Sequence, residues 1–164
     1  MKLKTLITSA FFAALICLST AFVKVPLSSV GYVHLGDTFI FLACVFLPTP
    51  YAVIASGLGS GLADILAGYV SYAPVTLFAK CAMAFVFSLT CTRNKWLDVL
   101  GALVASVVMA SGYFVYEAVA YGAPIAAANI PFNLLQGGVC AVVALPVAYS
   151  LKRFWHAKKS VLKG

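Results

Sequence analysis

The chain has 164 residues, of which 63% are hydrophobic and 9% charged, with a formal net charge of +7. A soluble domain carries about 25% charged residues, so the composition excludes a soluble enzyme or binding domain and specifies an integral membrane protein. Nucleic acid is not the partner implied by the positive charge: nine of the eleven basic residues (Lys2, Lys4, Arg93, Lys95, Lys152, Arg153, Lys158, Lys159 and Lys163) sit at the chain ends or in one short loop, as in positive-inside patterning.

Crossing a bilayer takes about 20 apolar residues, fewer where a helix is sheltered. On that scale the chain reads as one all-α membrane domain, 1–164, with six transmembrane helices. The first covers 4–23; its apolar run is too long for the roughly 7–15 residues of a signal-peptide core. After a loop with Lys24, Pro26, Ser28, Ser29 and Gly31 comes a short second helix, 36–47, stopped by Pro48 and Pro50. The third covers 51–67, the fourth 74–91, the fifth 96–120 and the sixth 131–151, with a basic tail over 152–164. Six crossings put both termini on one side, and the basic loop Arg93–Lys95 falls on that side too. Both termini are therefore expected in the cytoplasm, with the loops near Gly31, Gly68–Ala73 and Tyr121–Asn129 facing outward.

This orientation gathers Asp37, Asp64, Glu117, His34, Asn129 and Asn133 in the outer half, with six of the eight tyrosines. Trp96, Trp155, Tyr51 and Tyr149 mark the cytoplasmic edge. Interfacial tyrosines are usually belt residues, but six beside three carboxylates exceed what a belt needs. A charge inside an apolar segment costs roughly 2.5–3.5 kcal/mol at mid-depth and marks a functional candidate with a partner. Lys80 lies about 10 Å below the outer rim of its helix and leans outward. It is expected either to pair with Asp64 or Glu117 or to bind a polar substrate group. Glu117 shares a face with Ser106, Ala110, Tyr113 and Tyr121, and Asn133 and Gln136 share one with Gly137 and Cys140. Carboxamides donate and accept and tyrosine rings stack on flat molecules, a pairing suited to a heteroaromatic ligand.

Other signals are structural. Gly57, Gly59 and Gly61 lack the lysine of a nucleotide loop and recur with Ser56, Ser60 and Asp64 as a small-residue packing face. Ala10 and Ala14 form a similar face on the first helix. The five cysteines contain no CxxC pair and read as core residues. No ATP-binding motif, metal-ligand cluster or nucleophile–base pairing is present, so neither catalysis nor a cofactor is expected.

The run from His34 to Lys80 resembles the substrate-binding S components of energy-coupling factor (ECF) transporters, which import B vitamins and related compounds in prokaryotes. The matching pieces are His34-Leu-Gly-Asp37, Gly57-Leu-Gly-Ser-Gly61-Leu-Ala-Asp64, and Gly68-Tyr-Val-Ser-Tyr-Ala-Pro74 through Lys80. They look like the riboflavin-type branch, which includes proteins assigned to hydroxymethylpyrimidine or vitamin B6. The resemblance implies a multi-pass protein of a prokaryotic cell membrane. It implies binding near the outer face by Lys80, Tyr113, Glu117, Asn129 and Asn133, with His34, Asp37, Tyr69 and Tyr72 from the loops. Ala10 and Ala14 would contact a coupling transmembrane subunit that joins two ATPase subunits, and ATP-driven toppling of the S component would carry the site inward. A pyridoxine- or hydroxymethylpyrimidine-like ligand is favoured over riboflavin. The competing reading is a stand-alone facilitator or proton-coupled carrier that uses Asp64, Lys80 or Glu117 as a relay.

Overall fold

A computed structural model describes residues 2–26, 32–91 and 94–161, with side chains over 3–23, 34–91 and 94–153. The loop around Ser28, Ser29 and Gly31, Arg93 of the basic loop and Lys163 lie outside the described residues, as do the side chains of Lys2, Lys24, Tyr32, Trp155, His156, Lys158 and Lys159. The described residues form six helices: α1 (Lys2–Phe22), α2 (Gly36–Phe46), α3 (Thr49–Leu66), α4 (Ala73–Thr90), α5 (Lys95–Ala120) and α6 (Ala123–Val161). Between α1 and α2 a small antiparallel hairpin pairs β1 (Lys24–Pro26) with β2 (Tyr32–His34), Lys24 opposite His34. α1, α4, α5 and α6 are each long and apolar enough to cross a membrane.

The helices close into a ring in which neighbours run α1, α3, α4, α5, α6, α2 and back to α1. α2 has only 11 residues, about 16 Å, roughly half the hydrocarbon thickness. It is apolar around most of its circumference and buried at eight positions, as a helix inside a bundle must be. Phe41 of α2 meets Phe87 of α4 edge-on at 4.9 Å, both fully buried. The small face of α3 is spent on packing. A Cβ at Gly59 would lie 2.6 Å from the Ala13 carbonyl of α1, and one at Gly57 would lie 3.0 Å from the Leu77 carbonyl of α4.

α6 departs from its expected bounds at both ends. It starts at Ala123 rather than Pro131 because Gly122, at φ +95°, turns the chain within two residues of α5. Pro124 then occupies the first turn, where a missing N–H is harmless. Pro131 and Pro146 sit inside the helix. At the other end the backbone stays helical to Val161, so most of the expected tail continues α6. Its 39 residues reach about 58 Å, longer than a bilayer including its head groups, about 40–45 Å.

Candidate functional site

Three columns of side chains converge inside the ring. Steps of four bring Tyr72 (the N-cap of α4), Thr76 and Lys80 onto one line of α4 and Met109, Tyr113 and Glu117 onto one of α5, and steps of four and three bring Asn129, Asn133 and Gln136 onto one of α6. The columns descend about 12 Å from Tyr72 to Lys80 and hold two polar clusters, one above the other.

The deeper cluster centres on Asp37, in the first turn of α2. Lys80 Nζ donates to Asp37 Oδ1 at 2.6 Å, and both side chains are 0% exposed. Gln136 Nε2 donates to Asp37 Oδ2 at 2.8 Å, while Gln136 Oε1 accepts from the His34 backbone N–H at 3.1 Å. The His34 ring completes the turn into α2: its Nδ1 accepts from the Gly36 N–H at 3.0 Å and lies 3.3 Å from Thr20 Oγ1 of α1. Lys80 Nζ also lies 2.8 Å from Met109 Sδ and 5.6 Å from the Tyr113 ring centroid. Lys80 is thus fully enclosed by groups of α2 and α5. Asp64 and Glu117, the partners expected for it, are not the ones it takes. The short α2 lies inside the bundle and presents its N-terminus, where a carboxylate is also favoured by the helix dipole, beside α4. Asp64 is buried on α3, and its backbone carbonyl accepts from the Tyr69 N–H at 2.8 Å at the end of that helix.

The outer cluster centres on Glu117, which is 4% exposed. Tyr72 Oη donates to Glu117 Oε1 at 3.3 Å and Asn129 Nδ2 to Glu117 Oε2 at 3.1 Å. Both donors are neutral. Around them the rings of Tyr72 and Tyr116 meet edge-on at 4.9 Å, and those of Tyr72 and Tyr121 stack at 6.2 Å with 19° between planes. Tyr69 adds an edge contact to Tyr72 at 6.3 Å. Tyr113 joins the two levels, its Oη donating to Thr76 Oγ1 at 3.1 Å above Lys80. Asn133 is half-buried on the α6 column between Asn129 and Gln136.

Two apolar grooves open elsewhere, one between α5 and α6 and one among α1, α2 and α6; none of the sequence-predicted binding residues lines either. Ala10 and Ala14 are exposed on α1, beside the exposed Leu6, Phe11 and Leu18.

The family model for the S component of the ECF-type riboflavin transporter matches residues 1–153. This chain belongs to that family. The S component is 31% identical over 142 residues to an uncharacterized protein from the gap 3′ region of Pyrococcus woesei, covering 84% of this chain and 95% of that one. It is also 31% identical over 126 residues to the thiamine precursor transporter HmpT of Lactococcus lactis subsp. cremoris (strain MG1363), covering 75% and 73%. The solved S component of a bacterial ECF transporter shares the fold, with a TM-score of 0.72 at 23% identity over 94% of this chain and 99% of that one. The protein is therefore a multi-pass membrane protein and the substrate-binding subunit of a transporter.

Within this S component the structure groups His34, Asp37 and Lys80 in the deeper cluster, and Tyr69, Tyr72, Glu117 and Asn129 in the outer one. Met109 is the residue that sequence reasoning leaves without a role, and Gln136, read there as a carboxamide suited to a ligand, instead bonds Asp37 and the His34 backbone. Gln136 is on the inner face of α6 by its spacing, but only the burial of α2 beside α6 brings Asp37 to it. Met109 is one helical turn from Tyr113 and gives no polar signal in the sequence.

Proposed function

We propose that this S component captures a small flat vitamin precursor with N–H donors outside a prokaryotic cell membrane and passes it inward with an ATP-driven coupling module. The observation that carries this reading is Glu117: a buried carboxyl group faced by two neutral donors and ringed by tyrosines. Each carboxylate oxygen offers two lone pairs, so Glu117 keeps acceptor capacity beyond Tyr72 and Asn129. An amino group beside a protonated ring nitrogen donates to the two oxygens of one carboxylate, and the tyrosine rings suit a flat partner. An amino-substituted hydroxymethylpyrimidine offers that edge. Pyridoxine offers hydroxyls around a single ring nitrogen, and riboflavin, with three fused rings, would displace more of the mutually contacting tyrosines than one pyrimidine ring. The similarity to a relative named as a thiamine precursor transporter supports the same choice.

On this reading Lys80 forms the floor of the site: its ammonium is engaged by Asp37, and it holds α2, α4 and α5 in register below the ligand. Asn133 and Tyr113 line the space between the levels. The exposed stripe around Ala10 and Ala14 is the face offered to the coupling subunit, which two ATPase subunits drive. Native mass spectrometry of the protein purified from cells tests the ligand. The expected result is a bound species with the mass of an amino-hydroxymethylpyrimidine. A riboflavin mass, or no retained small molecule after supplying that pyrimidine, would overturn the assignment.

A further inference from the structure

The groove between α5 and α6 has the form of a lipid seat. It encloses about 1010 Å³ and is lined by apolar side chains except at one end, where Lys95 and Tyr149 close it. Its walls face away from the core: Val142 is 74% exposed and Leu103 53%. Along α6 it runs from Tyr149 up to Leu134, about 22 Å, more than the roughly 15 Å depth of one leaflet's hydrocarbon. Gly138 opens the middle, since a Cβ there would meet nothing within 4 Å.

The closed end is basic. Lys95 Nζ sits 5.9 Å from the Tyr149 ring centroid, which fixes the cation over the groove mouth. Arg153 is exposed one turn beyond Tyr149 on the same face of α6, and Trp96, 84% exposed, marks the head-group level. Asp98, the acidic residue of this end, is turned inward at 2% exposure and accepts from Tyr149 Oη at 2.6 Å. It lines no part of the groove, whose end carries Lys95.

We propose that this groove binds one anionic phospholipid, an acyl chain along α5 and α6 and its phosphate between Lys95 and Arg153. The site is separate from the substrate clusters, so it stands or falls independently of the ligand assignment.

The test is native mass spectrometry of the full chain released from bilayers holding equal amounts of phosphatidylglycerol and phosphatidylcholine with identical acyl chains. Wild type should retain phosphatidylglycerol preferentially, and inorganic phosphate should not displace it. Lys95→Gln should cut phosphatidylglycerol retention about fivefold, the effect of one basic residue at an anionic surface, and leave phosphatidylcholine unchanged. Gly138→Leu fills the groove and should lower retention of both lipids; Leu103→Trp serves as a second filling variant if the first folds poorly. Equal retention of the two lipids by wild type would overturn the proposal. So would displacement by inorganic phosphate alone, unchanged lipid preference in Lys95→Gln, or unaltered phosphatidylglycerol retention in a folded filling variant.

Discussion

Lys80 and Asp37 set the physics of the interior. Removing one member of a buried ion pair strands the other charge, at a cost of about 3–5 kcal/mol. Lys80→Met alone should therefore lower the thermal midpoint sharply. Adding Asp37→Asn, which keeps an acceptor for Gln136, should recover most of the loss, as thermal unfolding followed by tryptophan fluorescence will show. His34 behaves differently. Burial pushes its ring down to about 4, outweighing the pull of Asp37 in the other direction, with Lys80 lowering it further. The unfolded chain binds that proton near 6.5, so between about 6.5 and 4 the unfolded state carries more protons than the folded one. Stability contributed by neutral His34 is complete above that window and falls as pH drops through it, by up to roughly 1.4 kcal/mol per pH unit. His34→Asn should flatten the pH dependence of the midpoint over that range. Sequence reading marks both charges as residues needing partners and places the histidine in the outer half. It did not find the pairing, because three carboxylates compete for one lysine and only the depth of α2 decides among them.

At the scale of elements, the small residues of α3 determine how closely α1 and α4 approach it. A Cβ at Gly59 would press on the Ala13 carbonyl, which is backbone and cannot swing aside. Gly59→Val should cost about 1–3 kcal/mol, the range for overpacking, measurable as a lower yield of folded protein and a lower midpoint. Gly138→Leu, with open space around it, should leave the lipid-free midpoint nearly unchanged. The six helices were legible because hydrophobic runs and loop charges are local signals. The start of α6 was not, because Pro131 reads as a helix boundary, whereas the turn is made by Gly122 and the proline is carried inside. The hairpin was not legible either, since three-residue strands carry almost no periodicity. The outer cluster was partly legible: Glu117, Asn129 and the tyrosines stood out as polar residues in apolar runs. Their mutual contacts depend on the short α5–α6 turn.

For the whole molecule, the ring order places the polar columns on α4, α5 and α6 and the exposed alanine stripe on α1, so on the proposed reading capture and coupling would use different faces. Ala10→Trp with Ala14→Trp should abolish co-purification with a coupling subunit while leaving ligand binding intact. Uptake in cells should require the ATPase subunits; gradient-driven uptake by the protein alone would favour the stand-alone carrier. Calorimetric titration of the purified protein with an amino-hydroxymethylpyrimidine tests the role of Glu117. Wild type should bind saturably, and Glu117→Gln should bind roughly 10- to 100-fold more weakly, the worth of a hydrogen bond to a charged group, at an unchanged thermal midpoint. Equal affinity of the two proteins, or no binding by wild type, would contradict the account.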